Sequence, residues 1–233
     1  MGRNSPNSPY RRPEHKIVAH IGRTQVANNT RARRQARLSR ALGIALTPKA
    51  AKYLERRPYG PGEHGRARKK QDSDYAVRLR EKQRLRAQYG IREAQMTRAF
   101  EEAKHTKGMT GENLVEILET RLDALVLRAG FARTTAQARQ LVVHRHIMVD
   151  GARVDRPSFR VAEGQLIHVH PRSQTMTPLQ LAAAGAHRDV LPMVPAYLDV
   201  KLESLQARLV RKPKRVEVPV TCEEQLVVEF YSR

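Results

Sequence analysis

The stretch Arg121–Gly151, RLDALVLRAGFARTTAQARQLVVHRHIMVDG, decides the fold. Leu122, Leu125 and Val126 continue an apolar stripe begun by Leu114, Ile117 and Leu118, so the spacing predicts one helix from Thr110 to Arg128, stopped by Gly130. A second helix opens at Thr134, where Gln137 three residues on completes a capping-box pattern. Ala138, Leu141 and Val142 form its buried stripe, which turns Arg139, Gln140 and His144 outward. Ile147 and Val149 then alternate into Asp150-Gly151, the strongest short hairpin signal, followed by Arg153 and Val154. Two helices joined by a short glycine-containing turn and followed by a hairpin make a helix–turn–helix against a small sheet.

Toward the C-terminus, Leu166–His170 reads as a further strand after Glu163-Gly164. Beyond about residue 172 come proline- and alanine-rich connections, a short apolar stretch at 196–210 and a predicted closing strand over Gln225–Phe230. Toward the N-terminus, Thr47-Pro48 opens a short helix within 41–58, a capping residue followed by proline at the first helical position. Tyr59, Gly60, Pro61, Gly62, Glu63, His64 and Gly65 pack three glycines and a proline into a tight loop. Ser73-Asp74 caps a long helix ending at Gly90, and another spans roughly 92–107 up to Gly108. The class is therefore α+β, mainly α: a helical N-terminal domain (41–109), a domain of two helices with a mostly antiparallel sheet (110–185, core 121–181), and a segment (186–233) packing back on both.

Charge is concentrated at one end. The 233 residues carry 44 Lys+Arg against 23 Asp+Glu, a formal net charge of +21. Residues 1–90 hold 23 basic and 6 acidic side chains, a net +17, while residues 91–233 hold 21 and 17. Such an excess repels itself until phosphates or counterions neutralise it, so the partner is a polyanion. Residues 1–40 have ten Arg/Lys against Glu14 alone and read as an extension that orders, if at all, on an anionic surface. An Arg-rich start also suits an organelle transit peptide, but Pro6, Pro9 and Pro13 oppose the amphipathic helix that one needs, and the default location is the cytoplasm. No apolar run approaches the roughly 18 residues of a membrane span. The single Cys222 excludes a disulfide framework and a cysteine-cluster metal site.

Several of these residues match a known pattern. Arg121-Leu122-Asp123, Arg128-Ala129-Gly130-Phe131-Ala132, Ala138-Arg139-Gln140-Leu141-Val142, His144 and Val149-Asp150-Gly151 together resemble the RNA-binding domain named after small-subunit ribosomal protein S-four. Tyr59–Gly65 is similar to that family's Y-x-P-G-x-H-G loop, Ser73-Asp74-Tyr75 with Leu79–Gln83 to its S-D-Y…L-R-E-K-Q helix, and Glu224–Tyr231 to its C-terminal end. The likeness covers about residues 41–233, with 1–40 outside it. It implies a structural protein that binds small-subunit ribosomal RNA (rRNA) directly and early in assembly of the 5′ domain. It also implies neighbours that include the fifth small-subunit protein, a position near the path by which messenger RNA enters, and a contribution to translational accuracy. Family members with N-terminal cysteines bind zinc; lacking them, this chain resembles the zinc-free form. Thr135 stands where Arg is usual in the family, and Asp150 where Asn is common.

The candidate RNA contacts follow. Arg66, Arg68, Lys69 and Lys70 lie just after the glycine loop, and Arg78, Arg80, Lys82 and Arg86 line the long helix. Arg121, Arg133, Thr134, Arg139, Gln140, His144, Arg145 and His146 surround the helix–turn–helix. Arg133 precedes a helix whose N-terminal dipole favours phosphate. Arg suits the task because its planar fork contacts two phosphate oxygens at once. Tyr59 and His64 are expected to lock the glycine loop, with Gly60, Pro61, Gly62 and Gly65 setting its shape. The low aromatic content, 5%, argues against a reader built on stacked rings.

Other constellations carry less. His144-x-His146 and His168-x-His170 share a face in pairs, but no Asp, Glu or Cys falls at ligand spacing, so no metal and no cofactor is assigned. The three loop glycines make no nucleotide-binding loop, because no strand leads in and no Lys-Ser/Thr follows; no small-molecule substrate is implied. An alternative is an RNA-modifying enzyme of the pseudouridine synthase type, some of which carry R-L-D with a catalytic Asp. There a Gly precedes the Arg and a large catalytic domain follows; here Thr120 precedes and roughly 50 residues remain. Asp123 is therefore expected to cap or to salt-bridge within its domain, with Arg128 or Arg133 in reach.

Overall fold

The computed structural model describes residues 32–67 and 71–232. The basic extension expected over 1–40 lies outside the described residues as far as residue 31, as do Arg68, Lys69 and Lys70. Residues 32–42 are helical (α1), with Ser39 fully buried. The Ser39 hydroxyl accepts from Leu46 N–H and its carbonyl from Ile44 N–H, which closes the turn leaving α1.

Helix α2 (Pro48–Arg56) starts as its cap predicts, with Thr47 Oγ1 accepting from Ala50 N–H at 3.2 Å. Helix α3 (Asp74–Tyr89) is capped by the Ser73 hydroxyl and ends at Gly90 in the left-handed conformation. Helix α4 (Glu93–His105) buries Met96, Ala99, Phe100 and Ala103. The single helix predicted over 110–128 is two: α5 (Thr110–Glu119) and α6 (Leu122–Arg128). The break falls at Arg121, which takes extended backbone and bridges to Arg160, while Leu122 N–H donates to Phe159 O at 2.8 Å. An unbroken apolar stripe hid this break, because both helices bury the same face.

Helix α7 (Thr135–Val143) is capped by Thr134. Gln137 Oε1 accepts from Arg133 N–H rather than from the cap residue, so the expected box is offset by one position. The sheet has the order β2-β1-β3-β5-β4 with every pairing antiparallel: β1 (Ile147–Val149), β2 (Ala152–Arg153), β3 (Leu166–Val169), β4 (Leu198–Lys201) and β5 (Gln206–Leu209). Its β4–β5 hairpin comes from the stretch read only as apolar. The short helix α8 (Thr177–Ala183) precedes it.

Residues 225–230 are not a strand. They form α9 (Glu224–Tyr231), whose Val227 is fully buried and whose Tyr231 stacks on Phe100 with ring centroids 4.8 Å apart. The β-rich composition yields to tertiary packing: a helix lays Val227, Val228 and Tyr231 against the helical core together. Gly111 makes the approach possible, because a Cβ there would meet Glu224 Cγ at 2.8 Å. One buried cluster runs from Leu85 to Val227, so core packing continues across residue 110, with α1 and α2 outside that cluster.

Candidate nucleic-acid interface

A groove of about 1080 Å³ lies between α2 and α7, floored by the ends of α1 and α3. Its α7 wall carries Arg133, Thr134, Arg139, Gln140 and His144, all five from the helix–turn–helix set. The opposite wall presents Lys49, Lys52 and Tyr53 of α2, none of which the sequence reading selected. A usable signal was present: Lys49, Lys52, Tyr53 and Arg56 recur at i, i+3, i+4 and i+7, one exposed helical face. Among the described residues no Asp or Glu lines the groove.

Two hydrogen bonds hold α7 on the end of α3. Thr135 Oγ1–H donates to Gln88 O at 3.2 Å, and Arg139 donates to Gly90 O at 2.8 Å. The residue that replaces the family's usual Arg at 135 thus serves a joint. Arg139 also approaches Asp123 Oδ2 at 3.5 Å. Arg133 is exposed, and among the described residues its guanidinium has no hydrogen-bond or ion-pair partner.

Beyond α7, Arg145 takes a left-handed φ of 61° and pairs with Asp155 at 2.8 Å, with most of its side chain still exposed. His146 Nδ1 lies 2.9 Å from Ser173 Oγ. Partial burial, with the charge of neighbouring His144, lowers the His146 pKa below the ordinary imidazole value. Among the described residues no group of three or more His, Cys, Asp or Glu side chains is placed to hold a metal ion.

The glycine loop packs differently from expectation. The guanidinium groups of Arg40 and Arg66 both lie over the Tyr59 ring, 4.9 and 4.7 Å from its centroid. Arg40 donates to Tyr59 O and Gly60 O, and Arg66 donates to the Tyr59 hydroxyl at 3.0 Å. That bond leads the effects that lower the Tyr59 pKa. His64 is exposed, so the lock is Arg40–Tyr59–Arg66 and not His64.

Much of the remaining basic set serves the fold. Arg121 is buried and forks onto Asp123 at 3.0 and 2.9 Å. Asp123 is held by Arg121 and Arg139, not by Arg128 or Arg133. Lys82 is buried, bonded to Glu93 at 2.8 Å and seated 4.5 Å from the Phe230 ring. Arg78 pairs with Glu229 at 2.7 Å, Arg80 with Asp72 at 2.5 Å and Arg86 with Glu93 at 3.0 Å. These arginines read as a charged helix surface because none of these partners stands at the i±3 or i±4 spacing of a helical pair, and Glu229 is 151 positions away.

A cation-lined groove on a helix–turn–helix with a small antiparallel sheet defines an RNA-binding protein. Residues 10–119 match the family described as "Ribosomal protein S4/S9 N-terminal domain" and residues 120–167 the "S4 domain". The first match begins at residue 10, so the likeness reaches further toward the N-terminus than residue 41. A "Small ribosomal subunit protein uS4" of Pseudarthrobacter chlorophenolicus is 88% identical over 208 residues, covering 89% of this chain and 100% of the relative. Proteins of the same name from Micrococcus luteus and Beutenbergia cavernae are 77% and 71% identical over 208 residues, with the same coverage. The chain belongs to the uS4 family of small ribosomal subunit proteins. These relatives are named as ribosomal constituents and not as enzymes. The buried, doubly bonded Asp123 likewise offers no catalytic carboxylate to a substrate.

Proposed function

We propose that this protein is a structural, non-catalytic constituent of the small ribosomal subunit that binds small-subunit rRNA directly and helps nucleate the 5′ domain. The observation that carries the reading is the α2–α7 groove, which sets Lys49 and Lys52 opposite Arg133, Arg139 and His144 with no acidic lining among the described residues. Folded RNA is recognised through shape, phosphates and 2′-hydroxyls, and a rigid cationic groove suits that task. From the family resemblance the reading also takes contact with the fifth small-subunit protein, closeness to the path by which messenger RNA enters, a role in accuracy, and a ribosomal, cytoplasmic location. No helix among the described residues is long and apolar enough to cross a membrane.

Footprinting of the purified full chain on small-subunit rRNA tests this. Selective protection within the 5′ domain, with co-sedimentation on small subunits through moderate salt, is the expected result. Uniform, unselective protection would overturn it.

A further inference from the structure

The α2–α7 groove holds more than charge. Tyr53 is 44% exposed and Val143 49% exposed, and both line it together with Leu46 and Pro48. Phosphate contacts need no such surface, and a ring left in water across from an exposed valine gains nothing from folding alone. A partly exposed aromatic ring in a groove also lined by Lys49, Lys52, Arg133 and Arg139 matches a ligand that is itself planar, apolar on its faces and anionic at its edge. An unpaired nucleotide has that chemistry.

We infer that the groove takes a nucleotide splayed out of the rRNA, its base stacked on Tyr53 and its phosphate held among the lysines of α2 and Arg133. This deepens the rRNA-binding reading and rests on it. A base within a duplex has both faces covered, so only a looped or bulged nucleotide presents one to Tyr53. Gln140 on the opposite wall is exposed and carries donors and an acceptor for a base edge. The volume of about 1080 Å³ lies just above the roughly 300–1,000 Å³ of small-ligand sites, which leaves room for a nucleotide. The absence of acidic lining argues against a basic peptide, and the rim of four cations against an apolar one.

The test uses the full chain and 5′-domain rRNA. Tyr53→Phe keeps the ring and is expected to bind within about twofold of the parent. Tyr53→Leu keeps an apolar side chain without the ring and is expected to weaken binding by about 5- to 150-fold, the span of one lost stacked base. It should also raise the chemical reactivity of one unpaired base that the parent protects. Tyr53 is exposed, so thermal unfolding of both variants should match the parent. Tyr53→Leu binding like the parent, with an unchanged base-reactivity pattern, overturns the stacking inference and leaves rRNA binding standing. So does a loss shared equally by Tyr53→Phe and Tyr53→Leu, or weakened capture of a protein neighbour with unaltered RNA binding. Failure of the parent itself to bind selectively is the separate failure of the wider reading.

Discussion

Tyr197, just ahead of β4, donates its hydroxyl to the Glu119 carboxylate at 2.6 Å, joining residues 78 positions apart in a fully buried site. Tyr89, at the end of α3, donates to the same carboxylate at 2.5 Å, and Arg128 of α6 donates to it at 2.6 Å. Burial and then the Glu119 charge push both tyrosine hydroxyls far above their ordinary range, so they remain donors at every working pH. One carboxylate thus binds the helical layer, the helix–turn–helix and the second hairpin of the sheet. Tyr197→Phe is expected to lower unfolding free energy by about 1.5–3 kcal/mol, the loss of a bond to a charged group. Glu119→Leu is expected to cost more, about 3–5 kcal/mol, because Arg128 is left buried without its counter-charge. Urea unfolding at neutral pH measures both, and the order of the two losses is the check.

The glycine loop makes a sharper claim at Gly65. A Cβ there would stand 2.1 Å from Gly60 O and 2.9 Å from Gly60 C, both backbone atoms that cannot step aside cheaply. Gly62 has φ 95° but open space around it, so substitution there strains only the backbone. Gly65→Ala is therefore expected to open the loop and unseat Arg40 from Tyr59 O and Gly60 O. Trypsin cleavage after Arg56 and Arg66 should accelerate at least about tenfold, the equivalent of ~1.4 kcal/mol in local opening, and by less for Gly62→Ala.

Acid should release the C-terminal helix first. Partial burial raises the Glu93 carboxyl, but hydrogen bonds from Lys82 and Tyr231, with the charges of Lys82 and Arg86, outweigh it and hold the group below its ordinary value. A carboxyl depressed on folding contributes stability that is fully present above its unfolded pKa, about 4.3, and is lost as pH falls through the folded value. Stability between neutral pH and about 5 should therefore be insensitive to this group and decline below about pH 4. Glu93→Gln should weaken the α3–α4–α9 junction at neutral pH and flatten the decline on the acid side. Unfolding free energies at a series of pH values test both signs.

Cys222 gives a chemical readout of the same junction. Burial, then the nearby Glu81 charge, pushes its thiol up to about 12. Only the thiolate reacts readily, so labelling by a maleimide at pH 8 is expected to be far slower than for the unfolded chain. Glu93→Gln, by loosening α9, should speed it. Equal rates for folded and unfolded protein would contradict the packing of residues 222–231.

Legibility tracked how local each interaction is. The caps at Thr47, Ser73 and Thr134 and the Asp150-Gly151 turn were readable because donor and acceptor lie within a few residues. Asp150 takes φ 48° and also accepts from Leu166 N–H at 2.8 Å, a bond made across 16 residues that no local pattern reveals. The break at Arg121 depends on a bridge to Arg160, and α9 on surfaces of α3, α4 and α5; apolar spacing records neither partner. Within the groove, the α7 wall was visible through its family motif. The α2 wall carries no family motif, and its two lysines and tyrosine stand out only through their helical spacing. Arg121 and Lys82 show the opposite case: their charge is legible in the sequence, but their burial is not.

That last distinction separates groove cations from structural ones in a single experiment. Each phosphate neutralised contributes roughly 0.7–0.9 to the slope of log affinity against log salt. Arg133 and Lys52 are exposed in the groove, so Arg133→Gln and Lys52→Gln should each flatten the slope by about that amount while leaving unfolding free energy within about 0.5 kcal/mol of the parent. Arg121 is spent on Asp123, so Arg121→Gln should do the reverse. The slope should hold, and stability should fall by about 3 kcal/mol or more as Asp123 loses both arms of its fork. Arg139 stands between these cases, bonded to Gly90 O and near Asp123 yet lining the groove, so Arg139→Gln should move both quantities. A flattened slope for Arg121→Gln with unaltered stability would return that residue to the RNA surface and contradict the burial found for it.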